Sequence, residues 1–336
     1  MKLLLALLTL AGGGPDDLAP EPVDTLQNIE QVTVVAPAAK QTFSLRRQPI
    51  SSTVLSPAAI ERERVLSVKD LSAVVPNFYQ PDYGSRMTSS IYVRGFGARI
   101  DQPVVGVNVD EIPYLNKNSY DFDLFDIARI EVLRGPQGTL YGRNTIGGQL
   151  NIYTLSPLGY SGVRASAEYG TGNTVRAKAS YYGRVSDNFG ISVGGFYTRT
   201  DGFFDNAYDG SDCDRGHSAG GRVRMVWQGA DGWSIDNVAS VGSSLEGGYA
   251  YCLYDEASGA VSPVNYNGPN SYERVNVTDG FVVKHAGEKM LFTSATGYQY
   301  LYDRMLIDND FTPRSLFTLV QKQREHALTE DIVLRS

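Results

Sequence analysis

The sequence predicts an α+β domain followed by the antiparallel strands of a transmembrane β-barrel. Residues 49–154 mix short apolar runs with two helical segments and a glycine-rich stretch. After Gly159 the sequence changes to long segments in which apolar and polar residues alternate. The connections between those segments alternate between short and long, as the turns and loops of an outer-membrane barrel do.

The N-terminus has the pattern of an export signal. One lysine precedes an apolar run from Leu3 to Leu10 and then small residues, so residues 1–14 are expected to be a signal peptide. No other stretch approaches the roughly 18 consecutive apolar residues that a membrane helix needs. The 336-residue chain carries a net charge of −7, which disfavours a general nucleic-acid binder. We therefore expect an exported protein without a helical anchor or a nucleic-acid partner.

Residues 15–48 are rich in Pro, Ala, Gln and Asp, which predicts a flexible tail. A β-prone segment, "IEQVTVVA" at 29–36, interrupts this composition. Such a segment is suited to adding an edge strand to the sheet of a partner protein.

Residues 49–154 predict one compact α+β domain of about 105 residues. Ser56 followed by proline indicates the N-cap of a helix over 56–64, and a second helix is expected near 68–74. Short strands are expected at 90–94, 104–109, 129–133 and 148–153.

The glycine-rich stretch "IEVLRGPQGTLYGRNTIGGQLNIYT" at 130–154 has the composition of a ligand-cradling loop. It lacks the Gly-Lys-Ser/Thr ending of a phosphate-binding P-loop, and "RGFG" at 94–97 lacks the third glycine of a dinucleotide fingerprint. The glycines are therefore expected to provide tight turns and close backbone approach inside the domain.

Residues 160–336 are expected to supply about eight barrel strands. In the segment 175–185, Val175, Ala177, Ala179 and Tyr181 share one face, and charged or polar residues share the other. A soluble β-sandwich also alternates in this way, but its loops have no reason to alternate in length. The short connections fall at 186–188, 229–232 and 286–289, and the long ones at 201–217 and near 244–273 and 303–317.

The sequence contains only two cysteines, and export would permit a disulfide between Cys213 and Cys252. Sequence alone leaves that pairing open. The three histidines have no metal-ligand spacing, and we identify no metal site, no cofactor site and no catalytic constellation.

The segment 65–154 closely resembles the plug domain of TonB-dependent outer-membrane receptors, and the match is most specific through 130–152. The resemblance extends from about residue 29 to residue 336. "IEQVTVVA" resembles the TonB box of the family. "ALTEDIVLRS" at 327–336 resembles one of its barrel-strand motifs, with Asp331 where a glutamate is usual. The resemblance implies a bacterial outer-membrane location, with lipid around the barrel.

The resemblance also implies roles for particular residues. Arg94 and Arg134 should face barrel carboxylates, one of which is expected to be Asp331. The TonB-coupling residues would be Ile29, Glu30, Gln31, Val32, Thr33, Val34 and Val35. The structural motif of the plug would comprise Gly95, Gly135, Gly138, Tyr141, Gly142, Gly147 and Gly148.

Two plug loops should point outward and contact the ligand, according to the same resemblance. They offer an aromatic and cationic set that suits an anionic ferric chelate. For Arg86, a latch between plug and barrel is the competing interpretation. The candidate ligand residues are Tyr79, Tyr83, Arg86, Tyr114, Asn116, Lys117 and Tyr120.

The number of strands raises a geometric problem. An eight-stranded barrel has room only for its own side chains, and plugged transporters have about 22 strands. A plug of this length has a radius of gyration of about 13 Å and would not fit. We therefore expect the sequence to be a truncated receptor that ends within the barrel.

The resemblance implies a transporter, not an enzyme. The first expectation is uptake of a scarce ligand, above all a ferric siderophore, coupled to periplasmic TonB and its inner-membrane energising complex. The alternatives are a receptor remnant or surface protein that binds without transport, and a receptor for a glycan or cobalamin.

Overall fold

The computed structural model describes residues 50–86, 90–98 and 102–336. The expected signal peptide at 1–14 and the tail at 15–48, with its TonB box-like segment, lie outside these residues. The described chain forms two units, which we call the plug (residues 50–154) and the wall sheet (its eight long strands after residue 160).

The plug is built on a five-stranded sheet with the order β1-β6-β7-β4-β5. β4 and β7 pair in parallel, and the other neighbours are antiparallel. The core lies where this sheet meets the helices, with Val68, Leu71, Ile130 and Leu150 fully buried. The elements are β1 (Ser51–Leu55), α1 (Pro57–Arg62), α2 (Leu71–Val74), β2 (Phe78–Tyr79), β3 (Tyr92–Val93), β4 (Val105–Val109), β5 (Ile112–Tyr114), a 3-10 turn (Lys117–Ser119), β6 (Ile127–Arg134), α3 (Gly138–Tyr141) and β7 (Gly148–Thr154).

The two predicted helices form, and both are shorter than expected. Ser56 caps α1 by accepting a hydrogen bond from the Ala59 backbone N–H at 3.3 Å, as the sequence indicated. α2 begins only at Leu71 because the Asp70 carboxylate binds the backbone N–H groups of Leu66 and Ser67 at 2.9 and 2.8 Å. These bonds hold the preceding residues in a turn instead of a helix.

The wall sheet has eight antiparallel strands in which each strand pairs with its neighbours along the chain. The expected strands and the alternation of connections are both present. The strands are β8 (Gly162–Gly170), β9 (Thr174–Ser186), β10 (Phe189–Thr200), β11 (Gly216–Gln228), β12 (Trp233–Glu246), β15 (Ser271–Ala286), β16 (Leu291–Asp308) and β17 (Thr318–Arg335), while β13 (Tyr254–Asp255) and β14 (Ala260–Val261) form a small hairpin in the longest loop.

The wall sheet is apolar on its outer face and polar towards the plug. Tyr181, Val193 and Leu328 are exposed on the outer face. Their neighbours Ser180 and Ser192 are buried on the opposite face. A soluble domain would place apolar residues inside, whereas a sheet that faces lipid reverses the pattern. No helix among the described residues is long and apolar enough to cross a membrane.

Candidate functional site: the plug–wall interface and the outer pocket

The glycine-rich loop between β6 and β7 closes on itself. The Gly135 N–H donates to the Gly147 carbonyl at 3.0 Å, and the Gln137 N–H donates to the Thr145 carbonyl at 2.8 Å. Gly135 has a φ of +114° and Gly142 a φ of +75°, a region that L side chains rarely adopt. The loop is therefore held by hydrogen bonds of its own backbone.

Close packing explains other glycines of the expected motif. A Cβ on Gly148 would lie 2.5 Å from the Leu133 carbonyl oxygen. Gly147 donates its N–H to the Val104 carbonyl at 2.8 Å, which ties the loop to β4. The Tyr141 hydroxyl accepts a hydrogen bond from Asn151 at 3.0 Å.

The latch expected from Arg94 and Arg134 does not form in the described part of the chain. Arg134 instead donates to the hydroxyls of Thr53 and Ser51 at 2.6 and 3.1 Å. The reason is that β1 pairs with the end of β6 and places these hydroxyls within reach. Arg94 is exposed, and Asp331 lines the space between β17 and the α3 loop.

The sequence led us to expect plug arginines paired with carboxylates of the wall. In the structure, arginines of the wall sheet donate instead to carbonyl and carboxylate oxygens of the plug. On β11, Arg222 donates to the Phe125 carbonyl at 2.9 Å. Its guanidinium carbon lies 4.2 Å from the centre of the Phe125 ring. On β15, Arg274 donates to the carbonyls of Asn118 and Asp121.

Polar contacts with the plug are also made from β8 and β17, the two edge strands of the wall sheet. On β8, Arg164 pairs with Glu61 at 2.8 Å and with the buried Asp126 at 3.4 Å. On β17, Glu325 accepts a hydrogen bond from Asn116 at 2.6 Å. Such paired charges orient the plug more than they stabilise it, because burial costs each ion its hydration.

Arg86 lies in a network of ion pairs that reaches from the plug to the wall sheet. Its guanidinium pairs with Asp123 at 2.7 and 3.1 Å and with wall residue Glu246 at 3.0 Å. Burial alone would lower the pKa of Arg86, but the charges of Asp123, Asp121 and Glu246 raise it well above its ordinary value. Burial likewise works against the ionised Asp123, yet Arg86 holds the pKa of that carboxyl below its usual range. These contacts are those expected of a latch, and a role of Arg86 in ligand binding stays a prediction.

Other expected ligand residues also lie within the protein. Tyr120 is 1% exposed and donates its hydroxyl to the Tyr114 carbonyl at 3.2 Å. Asn116 binds the wall, and Lys117 begins the 3-10 turn. Only Tyr79 is strongly exposed, while the Tyr83 carbonyl accepts a hydrogen bond from Tyr251.

An outer pocket of about 400 Å³ lies where the plug meets two long loops of the wall sheet. Plug residues 67, 69, 80–82, 84–86 and 121 form one side. Glu246 at the end of β12 and residues of the loops at 201–215 and 247–270 form the other. The second loop clasps the plug, since the Tyr249 N–H donates to the Gly84 carbonyl at 2.8 Å and Ser85 donates to the Tyr249 hydroxyl at 2.9 Å. We define the outer pocket by Lys69, Gln80, Asp82, Arg86, Asp121, Phe204, Asp214, Glu246 and Tyr251.

The two cysteines do not form a disulfide in the structure. Cys213 is buried and Cys252 is exposed, and both are free, so the disulfide that the sequence left open is not formed. No cluster of His, Cys, Asp or Glu that could hold a metal occurs in the part of the chain that the structure describes.

Comparison with known proteins identifies the family. Residues 44–149 match the protein-family model described as "TonB-dependent Receptor Plug Domain". The chain belongs to the TonB-dependent receptors. Within that family it is 30% identical over 262 residues to the pesticin receptor of Yersinia pestis, covering 74% of this chain and 38% of that protein. It is 29% identical over 184 residues to the vitamin B12 transporter BtuB of Vibrio vulnificus, covering 51% of this chain and 28% of that protein.

Solved structures agree with the fold of the receptor. The ferric yersiniabactin uptake receptor FyuA of Yersinia pestis superposes with a TM-score of 0.76 at 24% identity, covering 89% of this chain and 47% of that one. The ferric-catecholate import receptor Fiu of E. coli gives a TM-score of 0.64 at 16% identity, covering 88% and 46%. The receptor sequence thus spans less than half of the relatives it matches. Its place is the outer membrane, as for its family.

Proposed function

We propose that the receptor imports a scarce ligand, in the first place a ferric siderophore, by TonB-driven remodelling of its plug. The observation that carries this proposal is the polarity of the plug–wall interface. The wall strands hold the plug through hydrogen bonds and ion pairs, such as those of Arg222, Arg274 and Arg164, to groups that water can also satisfy. An interface of this kind can open in a wet lumen while exposing only limited apolar surface, including the cluster of Ile112 with Val282 and Ala295.

The segment at 29–36 supports the coupling part of the proposal. Its backbone would add a strand to periplasmic TonB, and force on the tail would reach the plug through β1, which pairs with β6 along its whole length. The force would therefore act on the edge strand β1 and its pairing with β6 in the plug sheet.

The names of the relatives support the ligand part. FyuA is named as a receptor for ferric yersiniabactin and Fiu as a receptor for ferric catecholates, whereas BtuB is named as a vitamin B12 transporter. Iron chelates are therefore the first ligand class to test, and cobalamin is the second.

Growth experiments test the proposal. A strain that lacks this receptor is grown with ferric siderophores, cobalamin or complex glycans as the limiting nutrient, with and without the full-length gene. We expect the gene to restore growth on at least one ferric siderophore in a TonB-dependent way. If growth is restored only on cobalamin or only on a glycan, that nutrient replaces the ferric siderophore as the proposed ligand. Binding of a siderophore without any uptake would replace transport by ligand binding alone.

A further inference from the structure

The outer face of the wall sheet carries a group of cations where β16 and β17 pair. Arg304 lies directly across from Lys322, and Arg324 lies across from Tyr302, two positions nearer the periplasmic end. These cations share the outward-facing positions of the exposed Leu328, since every second residue of a strand faces the same side. We call Arg304, Lys322 and Arg324 the outer-face cluster.

The outer-face cluster has no ion-pair partner in the part of the chain that the structure describes. Glu273 lies across from Arg304 on β15 but forms no ion pair with it. The guanidinium carbon of Arg324 lies 5.5 Å from the centre of the Tyr302 ring, which supports this side chain from one side. Like charges that lie directly across two strands repel each other. An anion bound between Arg304 and Lys322 would remove that repulsion.

The outer-face cluster lies at the outer boundary of the membrane. Phe292 lies across from the exposed Leu334 near the short turn between β15 and β16, and Arg304 follows it by 12 positions. At about 3.4 Å per residue and a strand tilt of about 40°, this spacing corresponds to a height of about 30 Å. The hydrocarbon core of a bilayer is about 30 Å thick. The cations therefore lie among the lipid head groups, on the side of the long loops.

The face below the cluster suits acyl chains. Leu328 and Ile332 are 76% and 66% exposed on the outer face of β17. Glu330 lies between them, and its carboxylate accepts hydrogen bonds from Ser294 and Thr296 at 2.6 and 2.5 Å, so it is engaged within the wall sheet. An apolar face with unpaired cations above it matches a lipid with an anionic head group.

We propose that the outer-face cluster binds the phosphate group of a phosphorylated lipid in the outer leaflet. Arg304 and Lys322 both donate hydrogen bonds to the phosphate oxygens, and Arg324 supplies a third cation. The acyl chains lie along the apolar face around Leu328. This site goes beyond the proposed uptake and is separate from it, because it faces away from the plug, which Glu325 contacts from the opposite face of β17.

A matched pair of lipids tests the proposal on the purified full-length receptor in detergent micelles. One probe is diphosphoryl lipid A, and the other is the same lipid after removal of both phosphates. We expect the phosphorylated form to bind about tenfold or more tightly, because only this form supplies an anion to the cluster. Inorganic phosphate at the same concentration should not displace it, since it has no acyl chains to bury. Equal affinity of the two lipids, or displacement by inorganic phosphate, would overturn the proposal.

Variants connect the preference to the cluster. Arg304→Gln and Lys322→Gln should each weaken binding of the phosphorylated lipid several-fold and leave binding of the dephosphorylated lipid unchanged. Lys322→Arg keeps the charge and should retain most of the affinity. Arg199→Gln is the matched control, because Arg199 is exposed on the same face but already pairs with Asp201 at 3.1 Å, and it should alter neither affinity.

The remaining outcomes also decide the proposal. Unchanged affinity in the double variant Arg304→Gln/Lys322→Gln would place the phosphate elsewhere and overturn it. An equal loss for both lipids would mean that the substitutions disturb the wall sheet, and the inference fails. Siderophore uptake by the same variants is measured separately, so failure of the lipid preference leaves the proposed function standing.

Discussion

Arg224 on β11 holds Thr154, the last residue of plug strand β7. Its Nη1 atom lies 2.8 Å from the Thr154 carbonyl oxygen and 2.9 Å from the Thr154 hydroxyl. The same hydroxyl donates to Asp110 at 2.7 Å, and Arg224 pairs with Asp236 at 2.6 Å. Arg224 of the wall sheet therefore holds the plug at Thr154, where the chain leaves it.

Replacement of Arg224 by methionine should loosen the plug at this point. Arg224 Nη1 lies 3.5 Å from an oxygen of the buried Asp110. The substitution removes this cation, and loss of one partner of a buried pair costs roughly 3–5 kcal/mol. Thermal unfolding of the full-length receptor and leakage of a small antibiotic through the membrane measure the effect. Arg199→Met is the matched control, because Arg199 forms an exposed pair with Asp201, and it should change neither quantity appreciably. Unchanged leakage in Arg224→Met would show that Arg224 does not hold the plug against the wall sheet.

Arg86→Ala should raise antibiotic leakage without a selective loss of affinity for anionic ferric chelates. The substitution removes the ion pair to Asp123 within the plug and the ion pair to Glu246 that joins the plug to β12. Arg86→Lys should recover only part of the effect, because an ammonium group cannot pair with two oxygens as the planar guanidinium does. Leakage and affinity are measured side by side. If the affinity falls while leakage stays normal, Arg86 binds the ligand instead of holding the plug.

Acid should weaken the ion pair between Asp123 and Arg86 within the plug. The folded-state pKa of Asp123 is lowered below the unfolded value of about 3.9. The stabilisation is therefore fully present above the unfolded pKa and is lost as the pH falls through the folded pKa. Thermal midpoints should stay level between pH 7 and about 5 and fall below about 4. In Arg86→Ala the acid-dependent loss should be smaller, because burial then raises the pKa of Asp123 with less opposition. An identical loss in both proteins would exclude this pair as its source.

Proline in the segment at 29–36 should abolish uptake while leaving ligand binding intact. Val32→Pro and Val34→Pro each remove a backbone donor and fix φ, which prevents strand pairing with TonB. Val34→Ile keeps the backbone and should transport normally. Radioactive iron uptake and siderophore binding are measured on whole cells. Normal uptake by both proline variants would show that coupling lies elsewhere.

Gly138 at the start of α3 and Gly148 at the start of β7 should respond differently to replacement by alanine. In Gly148→Ala the new Cβ would lie 2.5 Å from the Leu133 carbonyl oxygen, and overpacking of this kind costs roughly 1–3 kcal/mol. In Gly138→Ala the nearest atom is Thr145 Oγ1 at 4.0 Å, and alanine favours the helix that begins there. Denaturant unfolding followed by circular dichroism compares the two. Equal stability of the variants would show that the loop shifts to accept the methyl group.

The local patterns of the sequence predicted most of the fold. Ser56 and Pro57 marked the start of α1, and the alternation from Val175 onward predicted the wall strands with their inner and outer faces. These signals are local, because capping and side-chain period depend on neighbours along the chain. The sequence missed β1 and β5, since each is a short strand without clear alternation and forms only by pairing with a distant segment.

The sequence by itself determined the export pattern, the plug motif, the strand faces and the loop order of this receptor, because each depends on residue type at short spacing. Only the tertiary structure decided which charges meet. It paired Arg86 with Asp123 and Glu246 across gaps of 37 and 160 residues, and it placed Gln80 beside the same pocket as Asp121. Such pairings depend on how two sheets dock in space, and no spacing along the chain records that geometry.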